Sequence, residues 1–400
     1  MRRSVARNRL LAQMLANRSC QQSVASCKAA VSKTAVSKRK VNKMKILIMK
    51  FRNIGDTLLA TPLAANLRLA YPQAQIHFAC NEGCEAMLEG NANIDKIHIY
   101  RRTSAKNSGF LKRIKTELDF LAKLKSEHFD IAINATEGDR GAYLAFLSGA
   151  KTRIGFDGGS FASRLLTHKV AQNCDIFGSH TIEHDLSLLS ALKLAPYTKT
   201  INIAFDDYSE FFADKLPASF IHFHPMSRWL FKCPKDEIIA DLLDFCELGL
   251  GVRCVMTCAN DAKELARCEN ILRLAKSKPR AFLGNLSLKQ VAFLSSKARL
   301  FVGVDTAVMH MAAAINTPVV ALFGPSSAMN WGPWDNTCAN SGYKAKNGIQ
   351  HMGAHSVVQA SWECVPCDRD GCNGSKKSRC LDEINTSAIK ELIKAKLEKG

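Results

Sequence analysis

The sequence lacks any apolar run long enough to cross a membrane. A transmembrane helix needs about 20 consecutive, mostly apolar residues, and no stretch of 18 or more apolar residues occurs. Hydrophobic residues nevertheless make up 47% of the 400 residues, which is enough to fill two cores. A single core stops growing at about 250–300 residues. We therefore expect a globular protein of two domains without a membrane-spanning helix.

Acidic residues are absent from positions 1–43, which hold 11 Lys and Arg residues and no apolar centre of a secretory signal. The segment could be a basic arm for nucleic acid or anionic lipid, an organellar transit peptide, or a disordered extension before a domain that begins at Met44. We favour the extension, because a predicted strand follows Met44 at once and the segment has no aromatic residue to stack on bases. No nucleic-acid partner is expected.

The 15 cysteines fall into two groups. Eleven are scattered, and without a recognisable export signal they are expected to be reduced thiols in the cytosol. The other four follow the pattern Cys-x2-Cys-x4-Cys-x7-Cys and are Cys364, Cys367, Cys372 and Cys380. Thiols at this density favour a structural site for zinc or another thiophilic metal. A reduced structural segment and a disulfide pair are the alternatives.

Two series of alternating strands and helices predict the fold. The first series has predicted strands at 45–49, 75–79, 96–99, 129–134 and 152–155, and the second has them at 220–224, 252–257, 280–282, 300–304 and 318–323. Such alternation is typical of parallel α/β sheets, which bind ligands beyond the carboxyl ends of their strands. We predict an α/β protein with two Rossmann-like, doubly wound domains that face a central cleft. The expected limits are 44–200 and 219–400, with a linker over 201–218.

The first candidate site follows the first predicted strand and reads Asn53-Ile54-Gly55-Asp56. Glycine permits a tight turn there, which would place Asp56 at the edge of the sheet that faces the cleft. A carboxylate in that place can take a proton from an attacking hydroxyl group. The alternative is that Asp56 only caps a helix, although Thr61 and Pro62 fit the cap and first turn of the main helix.

Two segments of the second series suit a diphosphate. Thr306 and Ala307 open a helix of small residues, and the free amides at a helix start attract anions. Asp305 suits sugar hydroxyls or orients His310, and the alternative is a helix cap beside a helix histidine whose hydrogen bonds are satisfied. A turn that begins at Gly324 presents further backbone amides after the strand at 318–323.

The loop after the strand at 220–224 adds positive charge. Arg228 and Lys232 could stabilise a departing diphosphate without a metal ion. The alternative is that both are solvated cations in a loop. A dinucleotide-dependent oxidoreductase is disfavoured, because the first strand is not followed by a G-x-G-x-x-G turn.

Together these segments resemble the signatures of glycosyltransferase family 9, the heptosyltransferases, from about Met44 to the end of the chain. The first signature is the segment 53–56 followed by Thr61-Pro62, and the second joins 305–310 to 317–325. The segment 228–232 and the cysteine-rich tail are most similar to the lipopolysaccharide heptosyltransferase III branch. The resemblance implies a GT-B fold and an inverting single displacement. Heptose would pass from ADP-L-glycero-β-D-manno-heptose to an inner-core heptose of lipopolysaccharide.

The resemblance also implies roles for individual residues. Asp56 matches the proposed base, Lys232 the phosphate-binding lysine, and Ser227 the phosphate loop. The other expected donor contacts are Arg228, Asp305, Thr306, Ala307, His310 and Gly324. The expected acceptor contacts are Asn53, Arg101 and Arg140, and no catalytic metal cofactor is implied. The alternatives are a transferase for another nucleotide sugar or glycan acceptor, and a nucleotide- or glycan-binding module without catalysis.

Residues 101–125 hold eight Lys and Arg residues against two acids. They could form a solvated helix face. Alternatively, they recruit a phosphorylated, carboxylate-bearing glycolipid such as the core and lipid A acceptor. That second interpretation predicts a cytoplasmic protein bound peripherally to the inner face of the cytoplasmic membrane.

Overall fold

The computed structural model describes residues 43–101, 109–171 and 178–399. Nearly all of the expected basic extension, residues 1–42, lies outside the described residues, as does the part of the basic stretch at 102–108. Below, residues 43–192 are called the first lobe and residues 220–399 the second lobe. Each lobe contains one sheet.

The sheet of the first lobe has six parallel strands in the order β3-β2-β1-β4-β5-β6. The strands are β1 (Lys45–Lys50), β2 (Gln75–Asn81), β3 (Lys96–Tyr100), β4 (Ile131–Asn134), β5 (Thr152–Asp157) and β6 (His168–Ala171). The helices are α1 (Ile54–Leu59), α2 (Thr61–Ala70), α3 (Phe110–Ser126), α4 (Asp139–Leu147) and α5 (Thr181–Leu186). The central strand β1 is buried over most of its length, because an apolar parallel strand is covered on both faces.

The sheet of the second lobe has seven strands in the order β12-β13-β11-β10-β7-β8-β9, and β12 is antiparallel. The strands are β7 (Phe220–His224), β8 (Arg253–Cys258), β9 (Arg280–Leu283), β10 (Leu300–Val304), β11 (Val319–Phe323), β12 (Ile349–Met352) and β13 (His355–Gln359). The helices are α6 (Asp236–Asp244), α7 (Ala262–Leu274), α8 (Leu288–Lys297), α9 (Ala307–Ala314), α10 (Ala328–Trp331), α11 (Arg379–Asp382) and α12 (Thr386–Lys399).

All ten predicted strands are present, with ends within two residues of the prediction. The strands β6, β12 and β13 were not predicted, because their short sequences mix polar and apolar residues without a clean apolar run. One helix prediction was wrong. Thr61 is the first residue of α2 rather than its cap, and Ala60 occupies the cap position. The Thr61 hydroxyl donates instead to the carbonyl oxygen of Leu58 at 2.7 Å.

Residues 193–219 form neither helix nor strand. Within them Phe212 is buried, and its ring stacks on that of Phe293 in α8 at a centroid distance of 5.7 Å. The end of this connection is therefore packed on the second lobe. The structure is consistent with the linker at 201–218, but the domain limits remain predictions.

One hydrophobic cluster runs through both lobes. It includes Ile46, Leu58 and Leu63 of the first lobe with Val308 and Met309 of the second. Burial of a side chain of this size stabilises a fold by about 1.5–3 kcal/mol, so the lobes adhere through a shared core. From Lys43 onward the chain accordingly forms one compact unit. Within the described residues, no helix combines the length and apolar character that crossing a bilayer requires.

Candidate active site

Asp56 lies in the first turn of α1, just beyond the carboxyl end of β1. Its Oδ2 accepts hydrogen bonds from the backbone amide and the side-chain amide of Asn53, at 3.2 and 3.3 Å. The alternative that Asp56 caps a helix is therefore partly correct, because its carboxylate accepts a hydrogen bond from the backbone amide of Asn53 at the start of α1. The other carboxylate oxygen, Oδ1, remains available for a second partner.

Burial raises the pKa of the Asp56 carboxyl above its usual value, although the charges of Lys50 and Arg52 and the Asn53 amide oppose the rise. Lys50 is itself buried. Its ammonium group donates to both carboxylate oxygens of Asp185 at 2.9 and 2.8 Å and to the carbonyl oxygen of Ala135 at 3.0 Å. Asp185 thus takes up much of the Lys50 charge, and Asp56 becomes a stronger base than an exposed aspartate.

Helix α1 packs directly against α9 of the second lobe. A Cβ atom at Gly55 would lie 3.2 Å from Cδ2 of His310 and 3.5 Å from Cα of Ala307. Glycine at this position therefore lets the two helices approach closely. The structure thereby brings the helix that carries the predicted base into contact with the predicted phosphate-binding helix, and we call the space between the lobes beside this contact the crevice.

The start of α9 has the form expected of an anion site. Thr306 caps the helix, and its hydroxyl accepts a hydrogen bond from the amide of Met309 at 3.3 Å. Thr306 and Ala307 are both partly exposed, whereas the rest of the helix is buried. Unpaired amides in a first helical turn carry a partial positive charge. They are accessible here to a ligand in the crevice.

Asp305 lies beside the same helix start and pairs with Lys232. The Lys232 ammonium is 2.5 Å from Oδ2 of Asp305, and the carboxylate is buried. Burial alone would raise the pKa of Asp305, but the Lys232 charge, the nearby His310 and the hydrogen bonds from Lys232 and Ser326 hold it below its usual value. Asp305 is therefore ionised at neutral pH and fixes the position of Lys232.

His310 is buried in α9, and its Nδ1 has no hydrogen-bond partner among the described residues. Burial lowers the pKa of His310 to about 4, in spite of the charge on Asp305. The imidazole is therefore neutral at pH 7. It can offer a ligand one donor or one acceptor, but no charge.

The loop after β7 carries the other predicted donor contacts. Ser227 is buried, and its hydroxyl accepts a hydrogen bond from the amide of Trp229 at 3.2 Å. Arg228 is exposed, with its guanidinium 5.7 Å from the centre of the Trp229 ring. Lys232 follows in a short turn that ends beside Asp305. The loop therefore places Lys232 beside Asp305 and leaves Arg228 in solvent.

Gly324 follows β11, and its small size has a packing reason. A Cβ atom there would lie 2.5 Å from Cδ1 of Leu381 and 3.7 Å from Sγ of Cys380. The next residue, Pro325, accepts hydrogen bonds from the amides of Cys367 and Asp368 at 3.0 and 2.9 Å. The predicted phosphate turn is thus held against the cysteine-rich segment, and the donor role of Gly324 stays a prediction.

The three predicted acceptor residues occupy the same edge of the first sheet. Asn53 is exposed beside Asp56, and Arg101 is exposed directly after β3. Arg140, at the start of α4, places its guanidinium 4.0 Å from the centre of the Tyr100 ring and 3.3 Å from Oε1 of Glu117. Arg140 is therefore held in place by neighbours at the edge that Asp56 shares.

The four clustered cysteines are all free thiols, so the disulfide alternative is wrong for this structure. Burial is the main cause of the raised pKa of the Cys380 thiol, and the charges of Cys372, Cys367 and Cys364 raise it further. The four thiols are therefore close enough to interact electrostatically. The four sulfur atoms do not meet the spacing of a formed metal site. Within the described ranges, three potential metal ligands with donor atoms within 4.8 Å of one another occur at another place in the structure. The thiols are near one another but are not gathered around a point.

That gathered group consists of His77, His98 and Glu127, at the end of the first sheet opposite to Asp56. Nδ1 of His77 lies 3.0 Å from Nε2 of His98, so the imidazoles share a hydrogen bond. Glu127 forms ion pairs with Lys45 and Lys96. Each member therefore already has a partner, and the two ammonium groups oppose a bound cation.

Sequence reasoning missed Lys50, Asp185 and His180. Lys50 gives a signal, since it is a lysine at the end of a strand that is otherwise apolar. Asp185 and His180 give none, because their partners are distant in sequence. His180 is buried and bonds to the carbonyl oxygen of Gly332 in the second lobe at 2.9 Å, which links the lobes beside the crevice.

Comparison with known proteins agrees with this geometry. The model of glycosyltransferase family 9 (heptosyltransferase) matches residues 118–354. The chain is 30% identical to lipopolysaccharide heptosyltransferase 3 of Escherichia coli K12 over 287 residues, which cover 70% of this chain and 82% of that protein.

Two solved structures share the fold. A family 9 glycosyltransferase from Veillonella parvula matches with a TM-score of 0.72 at 20% identity, covering 90% of this chain and 99% of that one. The ADP-heptose lipopolysaccharide heptosyltransferase II of E. coli matches with a TM-score of 0.68 at 20% identity, covering 89% of this chain and 99% of that one. The predicted GT-B fold is confirmed, and the chain belongs to glycosyltransferase family 9, the heptosyltransferases, and is a transferase enzyme.

Proposed function

We propose that the enzyme transfers heptose from ADP-L-glycero-β-D-manno-heptose to an inner-core heptose of lipopolysaccharide, with inversion at the anomeric carbon. The relative from E. coli K12 is named a lipopolysaccharide heptosyltransferase, and a structural neighbour is named for ADP-heptose. The observation that carries the proposal is the packing of α1 on α9. It places the helix that carries Asp56 against α9, beside whose start Asp305 and Lys232 form their ion pair.

In the proposed reaction, the acceptor hydroxyl attacks the anomeric carbon while Asp56 takes its proton. A carbon–oxygen bond to the acceptor forms as the bond between the anomeric carbon and the phosphate oxygen breaks. ADP leaves with the electron pair. Its negative charge is stabilised by the Lys232 ammonium and by the amides at the start of α9. The raised pKa of Asp56 suits a base that must be ionised yet accept a proton.

Donor binding changes the surroundings of Lys232. In the structure its ammonium group forms an ion pair with Asp305, and its charge also acts on the nearby Asp368. A diphosphate in the crevice would share that charge, because an ammonium group has three donors. Asp305 then acts as the anchor that keeps Lys232 aimed at the phosphates, and His310 offers its unpaired Nδ1 to a neutral group of the donor.

The acceptor sets the place of the reaction. A core oligosaccharide carried on lipid A is anchored in a bilayer, so the transferase must work at a membrane surface, and we propose the inner face of the cytoplasmic membrane. The exposed Arg101 and the half-buried Arg140 support contact with acidic groups of such an acceptor.

No metal is proposed in catalysis, because the charge of Lys232 and the helix amides serve the leaving group. We propose a structural metal at Cys364, Cys367, Cys372 and Cys380. Four free thiols suit zinc or iron, but the segment must contract around the ion, since the sulfur atoms are not gathered. Such an ion would hold the segment that supports Pro325.

Metal content of the purified protein tests this site. We expect close to one zinc or iron ion per chain, and a large loss in the variant Cys364→Ser/Cys367→Ser. Cys338→Ser is the matched control, because Cys338 is a free thiol outside the segment 364–380. Equal metal content in all three proteins would contradict the site.

The function itself is tested by incubation with ADP-heptose and defined truncated cores, with products identified by mass. We expect addition of one heptose to a core that already carries inner-core heptose. Addition from another nucleotide sugar, with none from ADP-heptose, would show a different donor. Tight binding of ADP without transfer to any core would show a binding module.

A further inference from the structure

Two helices of the first lobe carry apolar side chains on their outer faces. In α3, Leu111 is 81% exposed and Leu118 is 59% exposed, and Ile114 lies between them. Residues at this spacing form one stripe along a helix. Phe120 and Leu124 of α3 belong to the core below, and they lie roughly a third of a turn around the helix from the stripe. The exposed stripe is therefore additional to the face that the fold needs.

A second stripe lies on the neighbouring helix. In α4, Tyr143, Phe146 and Leu147 are 45%, 48% and 44% exposed. Phe161, just before a short turn that packs on α4, is 71% exposed. Both helices and this turn bury their other sides in one core cluster, on one face of the first sheet. Their exposed sides therefore point away from the sheet on the same side of the lobe. We call this surface the outer face; its apolar residues are Leu111, Ile114, Leu118, Tyr143, Phe146, Leu147 and Phe161.

Cations surround the apolar groups of the outer face. Lys115 lies one turn from both Leu111 and Leu118, so it borders the stripe of α3. Arg153 and Arg164 have their guanidinium groups 5.6 and 5.5 Å from the centres of the Phe146 and Phe161 rings. Over the length of α3, five Lys and Arg residues stand against two acids. One of these acids, Glu117, is already engaged with Arg140 and Tyr100.

We propose that the outer face is the surface by which the enzyme docks on a lipid bilayer with anionic headgroups. Apolar side chains can enter the boundary between headgroups and acyl chains, while bordering cations contact the anionic headgroups. A second protein or a second copy of the chain would not require this border of cations. Large exposed apolar patches of this kind mark interaction surfaces on monomeric proteins.

The outer face also ends at the candidate active site. Glu117 of α3 and Arg140 of α4 meet over Tyr100, the last residue of β3. The ring of Phe51, which follows β1 and precedes Asp56 by five residues, packs edge-on against Tyr100 at 6.2 Å. Phe51 and Tyr100 are themselves buried, so an acceptor anchored in the bilayer would reach Asp56 past the partly exposed Glu117 and Arg140 at this edge of the sheet. This last step rests on the proposed function, whereas docking does not.

Vesicle binding tests the docking face without any assay of transfer. The probe is sedimentation with vesicles of phosphatidylcholine alone or mixed with phosphatidylglycerol. We expect binding to the anionic vesicles, and a loss of about tenfold or more in Leu111→Gln/Leu118→Gln, because two large apolar side chains are removed from the interface. Lys115→Gln/Arg164→Gln should lose several-fold, and added salt should weaken binding of the wild type.

Leu248→Gln/Leu274→Gln is the matched control, since these leucines are 64% and 42% exposed in the second lobe. It should bind like the wild type. Equal binding by the control and by Leu111→Gln/Leu118→Gln, or no binding by the wild type, would overturn the proposal. So would a wild-type dimer that becomes monomeric in Leu111→Gln/Leu118→Gln, which would show that a second copy covers the face. All these proteins should retain transfer to a water-soluble core without lipid A, and loss of that transfer throughout would count against the proposed function alone.

Discussion

Each lobe contributes one carboxylate to the candidate site, Asp56 or Asp305, and the surroundings of the two carboxylates differ. Asp56 accepts hydrogen bonds from the neutral amides of Asn53, and burial raises its pKa. Asp305 is more deeply buried, yet its pKa is lowered, because Lys232 is in direct contact with it. A buried carboxylate with a cation in contact is an anchor, whereas one without such a contact is a base. The comparison assigns proton transfer to the first lobe and charge stabilisation to the second.

The largest expected effect comes from removing the base. Asp56→Asn keeps the hydrogen-bond acceptor for Asn53 but cannot take a proton. We expect kcat to fall by about 100- to 10,000-fold, with ADP affinity measured by calorimetry unchanged. Because burial disfavours the ionised form of Asp56, the free energy of unfolding at pH 7 should not decrease.

The control for this variant is Asp214→Asn, which makes the same change of charge in the connection between the lobes. It should transfer heptose at the rate of the wild type. A kcat of Asp56→Asn within a few-fold of that rate would remove Asp56 from its role as base.

Breaking the anchor should act on binding and on stability. We expect Lys232→Met to weaken ADP binding by about 10- to 100-fold, the effect of one lost charged hydrogen bond. It should also lower the free energy of unfolding by about 2–4 kcal/mol, because Asp305 is left buried without its partner. Calorimetry and urea unfolding measure the two effects.

The double variant Lys232→Met/Asp305→Asn sharpens this prediction. It should recover part of the lost stability, since no uncompensated charge remains, but none of the ADP affinity. The exposed Lys235→Met serves as control. If the double variant were as unstable as the sum of the single ones, the ion pair would not be the cause.

The smallest expected effect is a shift in the pH profile. Asp56 acts in its ionised form, so kcat/KM should fall as the pH drops through its pKa, at a pH above that of an ordinary aspartate. The charge of Arg52 opposes the rise of this pKa. Arg52→Gln should therefore move the acid limb to higher pH, by up to about half a unit, because Arg52 is solvent-screened. An unchanged acid limb in Arg52→Gln, or the same shift in the remote Arg68→Gln, would contradict this electrostatic account.

Much of the fold was predictable, because long apolar strands and intervening helices leave a clear periodic signal. The strands β7 and β10 begin and end where the sequence predicted. The short, mixed strands β6, β12 and β13 have no such signal, since neighbours rather than their own residues define them. The break at Ala60 was missed because Thr61 suits both the cap and the first turn of a helix.

The site was predictable where motifs follow strands and not where contacts are distant in sequence. Asp56, Asp305 and Lys232 could be named as candidates because the loops after parallel strands meet at one edge, and their roles stay predictions. The pairing of Lys50 with Asp185 spans 135 residues and leaves no local pattern. The outer face of α3 was predicted only as a row of cations, because exposure of Leu111 depends on which side of the helix the core takes.

The most direct test of the division between base and anchor is a comparison of Asp56→Asn and Asp305→Asn at saturating donor and acceptor. The account predicts that Asp56→Asn stays at least about 100-fold slow under saturation, because its defect is in the chemical step. Asp305→Asn should recover to within several-fold of the wild type as excess donor offsets weaker binding. Equal residual rates in the two variants at saturation would contradict it.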